Sequence, residues 1–136
     1  MALEAKAQIV VIDDEELMRS TFQEVLGRYN VITFDNAADG AIYVWYNRAA
    51  VDLILLDLHM EATGANGDEF FKRIRSIPDS VIRTIPIIIV TSVANKDDVM
   101  RVVKLNPDGY VLKPFNNEVL LGKIEVCLRT KAKRSA

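Results

Sequence analysis

The chain has 136 residues, half of them hydrophobic, with 17 basic and 19 acidic side chains and a formal charge of −2. That length and apolar content suit one domain around one core, and the near-neutral balance argues against the basic field that nucleic-acid binding requires. The single cysteine, Cys127, excludes an internal disulfide, and no apolar run approaches the ~20 residues of a membrane span, so no membrane contact and a cytoplasmic location are expected.

In chain order, short apolar runs alternate with amphipathic segments. Ile9 to Ile12 reads as a strand ending in the acidic run Asp13-Asp14-Glu15-Glu16. Met18, Phe22, Val25 and Leu26 then recur at helical spacing. Tyr29 to Phe34 is a second strand, and Asn36 can cap a helix whose inner face is predicted to be Ala38, Ile42, Trp45 and Ala49. Leu53 to Leu56 has the unbroken aliphatic character of a strand buried on both faces and delivers Asp57 to its C-terminal end. Asn66 and Glu69 have capping spacing before the stripe Phe70, Phe71, Ile74 and Ile77. Ile87 to Val90 is a fourth strand ending at Thr91-Ser92. Asn95 caps a helix with Val99, Val102, Val103 and Leu105 apolar. Pro107-Asp108-Gly109 is a turn, Tyr110 to Leu112 a fifth strand stopped by Lys113-Pro114, and a helix from about Asn116 to Arg129 places Leu120, Ile124, Cys127 and Leu128 in the core. The domain is read as residues 1–130, with 131–136 a basic tail or linker start.

Five strand-then-helix repeats imply an α/β fold with a parallel sheet covered on both faces and all strand C-termini on one edge. Residues distant in sequence therefore meet there: Asp13, Asp14, Asp57, Thr91 and Lys113. Three carboxylates within ~5 Å repel by roughly 3 kcal/mol per pair at an effective dielectric near 20, so the cluster calls for a cation. Hard oxygen donors with room for water suit Mg²⁺. With Lys113 it would neutralise the oxygens of an incoming phosphoryl group, while one carboxylate attacks phosphorus and the Thr91 hydroxyl senses the phosphate.

These residues bear a family likeness. The acidic pair Asp13-Asp14, Leu-Leu-Asp57 with Met60 following, Thr91, and Gly109-Tyr-Val-Leu-Lys113-Pro-Phe115 occur in order, each at a strand end. Over nearly its whole length the chain resembles the receiver domain of two-component response regulators. The resemblance implies a single-domain flavodoxin-like (βα)5 fold with strand order 2-1-3-4-5. It implies that Asp57 takes a phosphoryl group from a phosphohistidine on a sensor histidine kinase or a histidine phosphotransfer protein. Asp14, Asp57 and the backbone carbonyl of His59 would ligate Mg²⁺, with Asp13 acting through water. Thr91 would move toward the phosphoryl group, Tyr110 would swing inward, and the face of the fourth helix, fifth strand and fifth helix would change for a downstream protein or effector domain or for a homodimer. The Lys113-Pro114 bond is expected to be cis by the same likeness. The protein would catalyse only its own phosphotransfer and dephosphorylation.

Two departures stand out. Glu61 occupies a position that is usually proline in the family, and the nearest matching glycine, Gly67, stands ten residues after Asp57, so the loop is two residues longer. Ser92 replaces the commoner alanine, and Val93 is expected to slow hydrolysis by limiting water. Asp13 or Asp14 could be a helix N-cap, and Tyr110 a plain core aromatic. A side-chain metal role for His59, the only histidine, would need further histidines. An aspartate-nucleophile hydrolase would want an acid where His59 stands, and Asp52 lies at the wrong end of its strand. A receiver-like interaction module that signals without phosphate remains the alternative from another class; such modules lose the acceptor, an acidic-pair member or the lysine, and this chain keeps all three.

Overall fold

The computed structural model describes residues 6–60, 65–92 and 95–135, of which 65, 66 and 131–135 are described as backbone. Five strands form the main sheet: β1 (Gln8–Ile12), β2 (Asn30–Phe34), β3 (Leu53–Leu56), β4 (Ile87–Thr91) and β5 (Gly109–Leu112). All pairings are parallel, and the order is β2-β1-β3-β4-β5. The expected order 2-1-3-4-5 is therefore present. Between the strands run α1 (Glu16–Val25), α2 (Ala37–Tyr46), α3 (Gly67–Ser76) and α4 (Lys96–Leu105), and α5 (Asn117–Ser135) follows the last.

Side chains alternate across the central strands, so two cores form on opposite sheet faces. Val10, Ile12, Ile54, Leu56, Ile87 and Ile89 meet α2, α3 and α4 through Val44, Phe71, Ile74 and Val102. Ile9, Val11, Leu53, Leu55, Ile88 and Val90 meet α1 and α5 through Phe22, Leu26, Leu120, Ile124 and Cys127. Both faces being covered explains why β3 and β4 are aliphatic without alternation.

Two caps form as the sequence suggests: Asn36 accepts the amide of Asp39 at 2.8 Å, and Asn95 that of Asp98 at 3.0 Å. The predicted inner face of α2 is wrong by one position. Gly40 and Val44 are buried and Ala37 and Ala41 pack on the core, while Ile42 and Trp45 are 58% and 45% exposed and Ala38 and Ala49 are exposed too. The reason is steric: a Cβ at position 40 would come within 2.6 Å of Ile12 Cδ1, so the helix lies closest to β1 at its glycine. On α4, Val102 is buried, but Val99 and Val103 are exposed because the helix covers the sheet with one narrow stripe.

Two elements were not anticipated. His59–Met60 pairs antiparallel with Ala65–Asn66 in a small ribbon directly after Asp57. A short helix, Ser80–Arg83, is capped by Asp79, whose Oδ1 accepts the amides of Val81 and Ile82. The backbone of α5 also continues to Ser135, past the expected end near Arg129, since lysine, alanine and arginine are good helix formers. Within the lengthened loop, Glu61 to Gly64 lie outside the described residues, as does Val93, and the side chain of Asn66 does too.

Candidate functional site

The parallel ladder runs one residue past each strand and so fixes the site. The amide of Asp57 donates to Ile12 O, that of Asp13 to Phe34 O and that of Lys113 to Thr91 O, each at 3.0 Å. Three neighbouring strands thereby release Asp13, Asp57 and Thr91 at one edge, and all three are buried. Lys113 reaches the same point from the end of β5, and the Lys113-Pro114 bond that follows it is cis.

Every oxygen of the Asp57 carboxylate is engaged. Oδ1 accepts from Thr91 Oγ1 and from the amide of His59, both at 3.0 Å, and Oδ2 accepts from Lys113 Nζ at 3.1 Å. Lys113 also donates to Asp13 Oδ2 at 2.7 Å and to Glu15 Oε1 at 3.4 Å. Thr91 is thus already bonded to the Asp57 carboxylate, where the sequence suggested a hydroxyl waiting for phosphate. Neither Asp13 nor Asp14 is the N-cap of α1. That position is Glu15, which makes no side-chain cap bond; Asp13 Oδ1 instead accepts the amide of Glu15 at 3.0 Å.

Carboxylate oxygens of Asp13, Asp14, Glu15 and Asp57 gather within 4.8 Å of one another. Glu15 is an addition that the sequence placed in the acidic run but not in the site. One ammonium among four carboxylates leaves excess negative charge. Burial pushes the Asp13 carboxyl above its ordinary range, outweighing the hydrogen bond from Lys113. Burial pulls Lys113 down, but its hydrogen bond to Asp13 and the charges of Asp57 and Asp13 outweigh that, and its pKa is raised. A hard divalent cation would relieve this excess, and an all-oxygen donor set open on the Asp14 and Glu15 side fits Mg²⁺.

His59 turns its ring away from the acidic cluster, and its Nε2 lies 3.6 Å from Asp98 at the start of α4. Arg101 on α4 approaches Asp98 at 3.6 Å and holds Asp68, at the start of α3, through two hydrogen bonds of 2.5 and 3.2 Å. The bond to Asp68 raises the Arg101 pKa. Tyr110 is not a core aromatic: it is 51% exposed, with Lys123 Nζ 6.0 Å from its ring centre. Asp52 has a structural part, accepting the amide of Gln8 at 2.7 Å.

The family profile described as response regulator receiver domain matches residues 9–125. The chain belongs to the response regulator receiver domain family. This receiver domain is 31% identical over 126 residues to chemotaxis protein CheY1 of Helicobacter pylori, covering 90% of this chain and 98% of that one. It is 31% identical over 132 residues to response regulator ArlR of Staphylococcus aureus, covering 93% of this chain but 55% of the regulator. Among solved structures, the receiver domain of a signal transduction histidine kinase from Syntrophus aciditrophicus shares the fold, with a TM-score of 0.82 at 23% identity over 91% of each chain. Chemotaxis protein CheY4 of Vibrio cholerae superposes with a TM-score of 0.77 at 25% identity, covering 91% of this receiver domain and all of that chain. Among the described residues, no helix is long and apolar enough to cross a membrane.

Proposed function

We propose that this receiver domain is a phosphorylation switch in which Asp57 accepts a phosphoryl group from a phosphohistidine on a sensor kinase or phosphotransfer protein. The observation that carries the reading is the buried Asp57 carboxylate, held at one oxygen by Thr91 and at the other by Lys113 beside Asp13. In the transfer a carboxylate oxygen of Asp57 bonds to phosphorus as the phosphorus–nitrogen bond of the donor breaks and the imidazole leaves with the electron pair. Asp13, Asp14, Asp57 and the carbonyl of His59 are the residues that would hold Mg²⁺, which supplies charge neutralisation for the phosphoryl oxygens.

Lys113 can follow the new oxygens, because one ammonium already spans Asp13 and Asp57. Thr91 can exchange its bond from the carboxylate to a phosphoryl oxygen by a small movement. Thr91 pairs with Leu112 and Ile89 with Tyr110, so movement at Thr91 passes one strand across to β5. Val99, Met100 and Val103 of α4 and Tyr110 and Leu112 of β5 are exposed apolar residues, suited to a downstream protein, an effector domain or a second copy. The coupling is a population shift between two conformers, driven by the added charge of ~1.5 to 2 units.

The test is incubation with an acyl-phosphate donor with and without Mg²⁺, read by intact mass. One added phosphoryl group that requires the metal is expected. An unchanged mass with both acyl-phosphate and phosphohistidine donors would leave an interaction module that works without phosphate.

A further inference from the structure

Helix α2 is apolar on two sides. One side, through Gly40 and Val44, enters the core; the other exposes Ile42, Trp45 and Tyr46, the last 78% exposed. A surface helix normally turns only one apolar stripe inward, and contiguous exposed apolar surface marks interaction sites. These three residues form one wall of a groove of about 340 Å³. The opposite wall is Ile74 and Ile77 from α3 and the residue after it, with Ile82 of the short helix at the floor. Each wall is a little over one helical turn long, at about 3.6 residues per turn.

Arg48 and Asp79 stand beside this lining. Arg48 lies 5.3 Å from the centre of the Trp45 ring, donates to Trp45 O at 2.8 Å, and pairs with Asp79 at 3.1 Å. That pair links the end of α2 to the connection after α3, with the guanidinium over the indole. The charged residue in the lining is Arg73, exposed, with no carboxylate in ion-pair distance among the described residues. The groove is thus apolar with an unneutralised cation on its rim.

We propose that the α2–α3 groove binds a short amphipathic helix of a partner protein, which lays apolar side chains at i, i+3 and i+4 beside Trp45 and presents a carboxylate to Arg73. Helices form both walls and no sheet edge is exposed between them, which favours a helix over an added strand. A second copy of this chain fits poorly: an isologous pairing through the groove would bring two Arg73 side chains into one interface. The site makes no use of Asp57.

Trp45 is the only tryptophan of the chain and reports on the groove directly. The probes are a three-turn peptide with leucine and phenylalanine on one face and glutamate elsewhere, its lysine-for-glutamate counterpart, and a scrambled control. The glutamate peptide should change Trp45 emission saturably, and the lysine peptide should bind about two- to fivefold more weakly, the scale of one exposed ion pair. Arg73→Glu should reverse that preference. Ile42→Asp should abolish binding while leaving circular dichroism, melting temperature and phosphorylation by an acyl phosphate as in the wild type. The proposal is overturned if the glutamate peptide gives no saturable change, if both charged peptides bind alike, or if Ile42→Asp binds normally. It is also overturned if sedimentation shows a wild-type dimer that Ile42→Asp disperses, which assigns the groove to a second copy. Failure of the wild type to take up phosphate would count against the phosphorylation reading alone.

Discussion

Gly67 lies so close to Asp57 that a Cβ at position 67 would stand 2.5 Å from the Asp57 carbonyl oxygen and 2.8 Å from Leu58 Cα. These are backbone atoms and cannot rotate away. The start of α3 is therefore packed directly against the peptide that follows the proposed acceptor, and between the two His59–Met60 pairs with Ala65–Asn66. Gly67→Ala should cost about 2 kcal/mol or more, as overpacking against a rigid neighbour does, and should slow phosphoryl uptake by moving Asp57. Thermal unfolding checks the first effect and intact mass against time the second; wild-type values for both would mean the chain relaxes elsewhere.

Asp13 has a carboxyl raised above its ordinary value of 3.8, chiefly by burial. A group whose folded pKa exceeds its unfolded one favours folding below the unfolded value, and that contribution is lost as pH rises through the folded pKa. Ionised Asp13 is therefore a net burden on the metal-free fold at neutral pH. Asp13→Asn should make metal-free stability fall less, or rise more, than in the wild type as pH rises from 3.8 through the folded Asp13 pKa, and should shrink the melting-temperature gain from Mg²⁺. Lys113 adds no slope in that window, because the contribution of its raised pKa is present below 10.5 and is lost only as pH rises through its folded value.

Removing Lys113 leaves Asp13 and Asp57 buried with no ammonium between them. Lys113→Ala should destabilise the metal-free protein by roughly 3 kcal/mol, the scale of a broken buried ion pair, and Mg²⁺ should restore part of the loss. Phosphorylation should then no longer shift the Tyr110 resonances. Melting curves with and without Mg²⁺, together with NMR of the β5 face, decide this, and an undiminished Tyr110 shift would remove Lys113 from the coupling.

On α2, neighbouring aliphatic residues should respond differently. Val44→Ala removes fully buried atoms and should cost on the order of 2 kcal/mol, whereas Ile42→Ala should cost less than about 0.5 kcal/mol. Chemical denaturation of the two variants tests the assigned register of the helix, and equal costs would contradict it.

That contrast also shows what could be read from residues alone. The strands were legible because β3 and β4 are too aliphatic to be anything but doubly covered, and the site was legible because parallel topology forces Asp13, Asp57, Thr91 and Lys113 to one edge. The register of α2 was not legible. Ala-Ala-Asp-Gly-Ala-Ile-Tyr-Val-Trp-Tyr is apolar around most of its circumference, and the deciding feature is a close approach at Gly40 rather than a hydrophobic stripe. The ribbon after Asp57 has two residues per strand, too few for any periodicity to show. Glu15 entered the cluster because its amide is pinned to Asp13, a short-range bond that spacing does not announce. The Thr91 hydroxyl was expected to await phosphate; with Asp57 buried beside it, the carboxylate itself is the available acceptor.

The central claim is that Asp57 is the residue that carries the phosphoryl group. Its most direct test is peptide-level mass mapping of the wild type and Asp57→Asn after reaction with an acyl phosphate and Mg²⁺. A single phosphoryl group on the peptide containing Asp57, absent from Asp57→Asn, is the predicted result. Phosphoryl mass retained in Asp57→Asn, or located on Asp13 or Asp14 in the wild type, would contradict it.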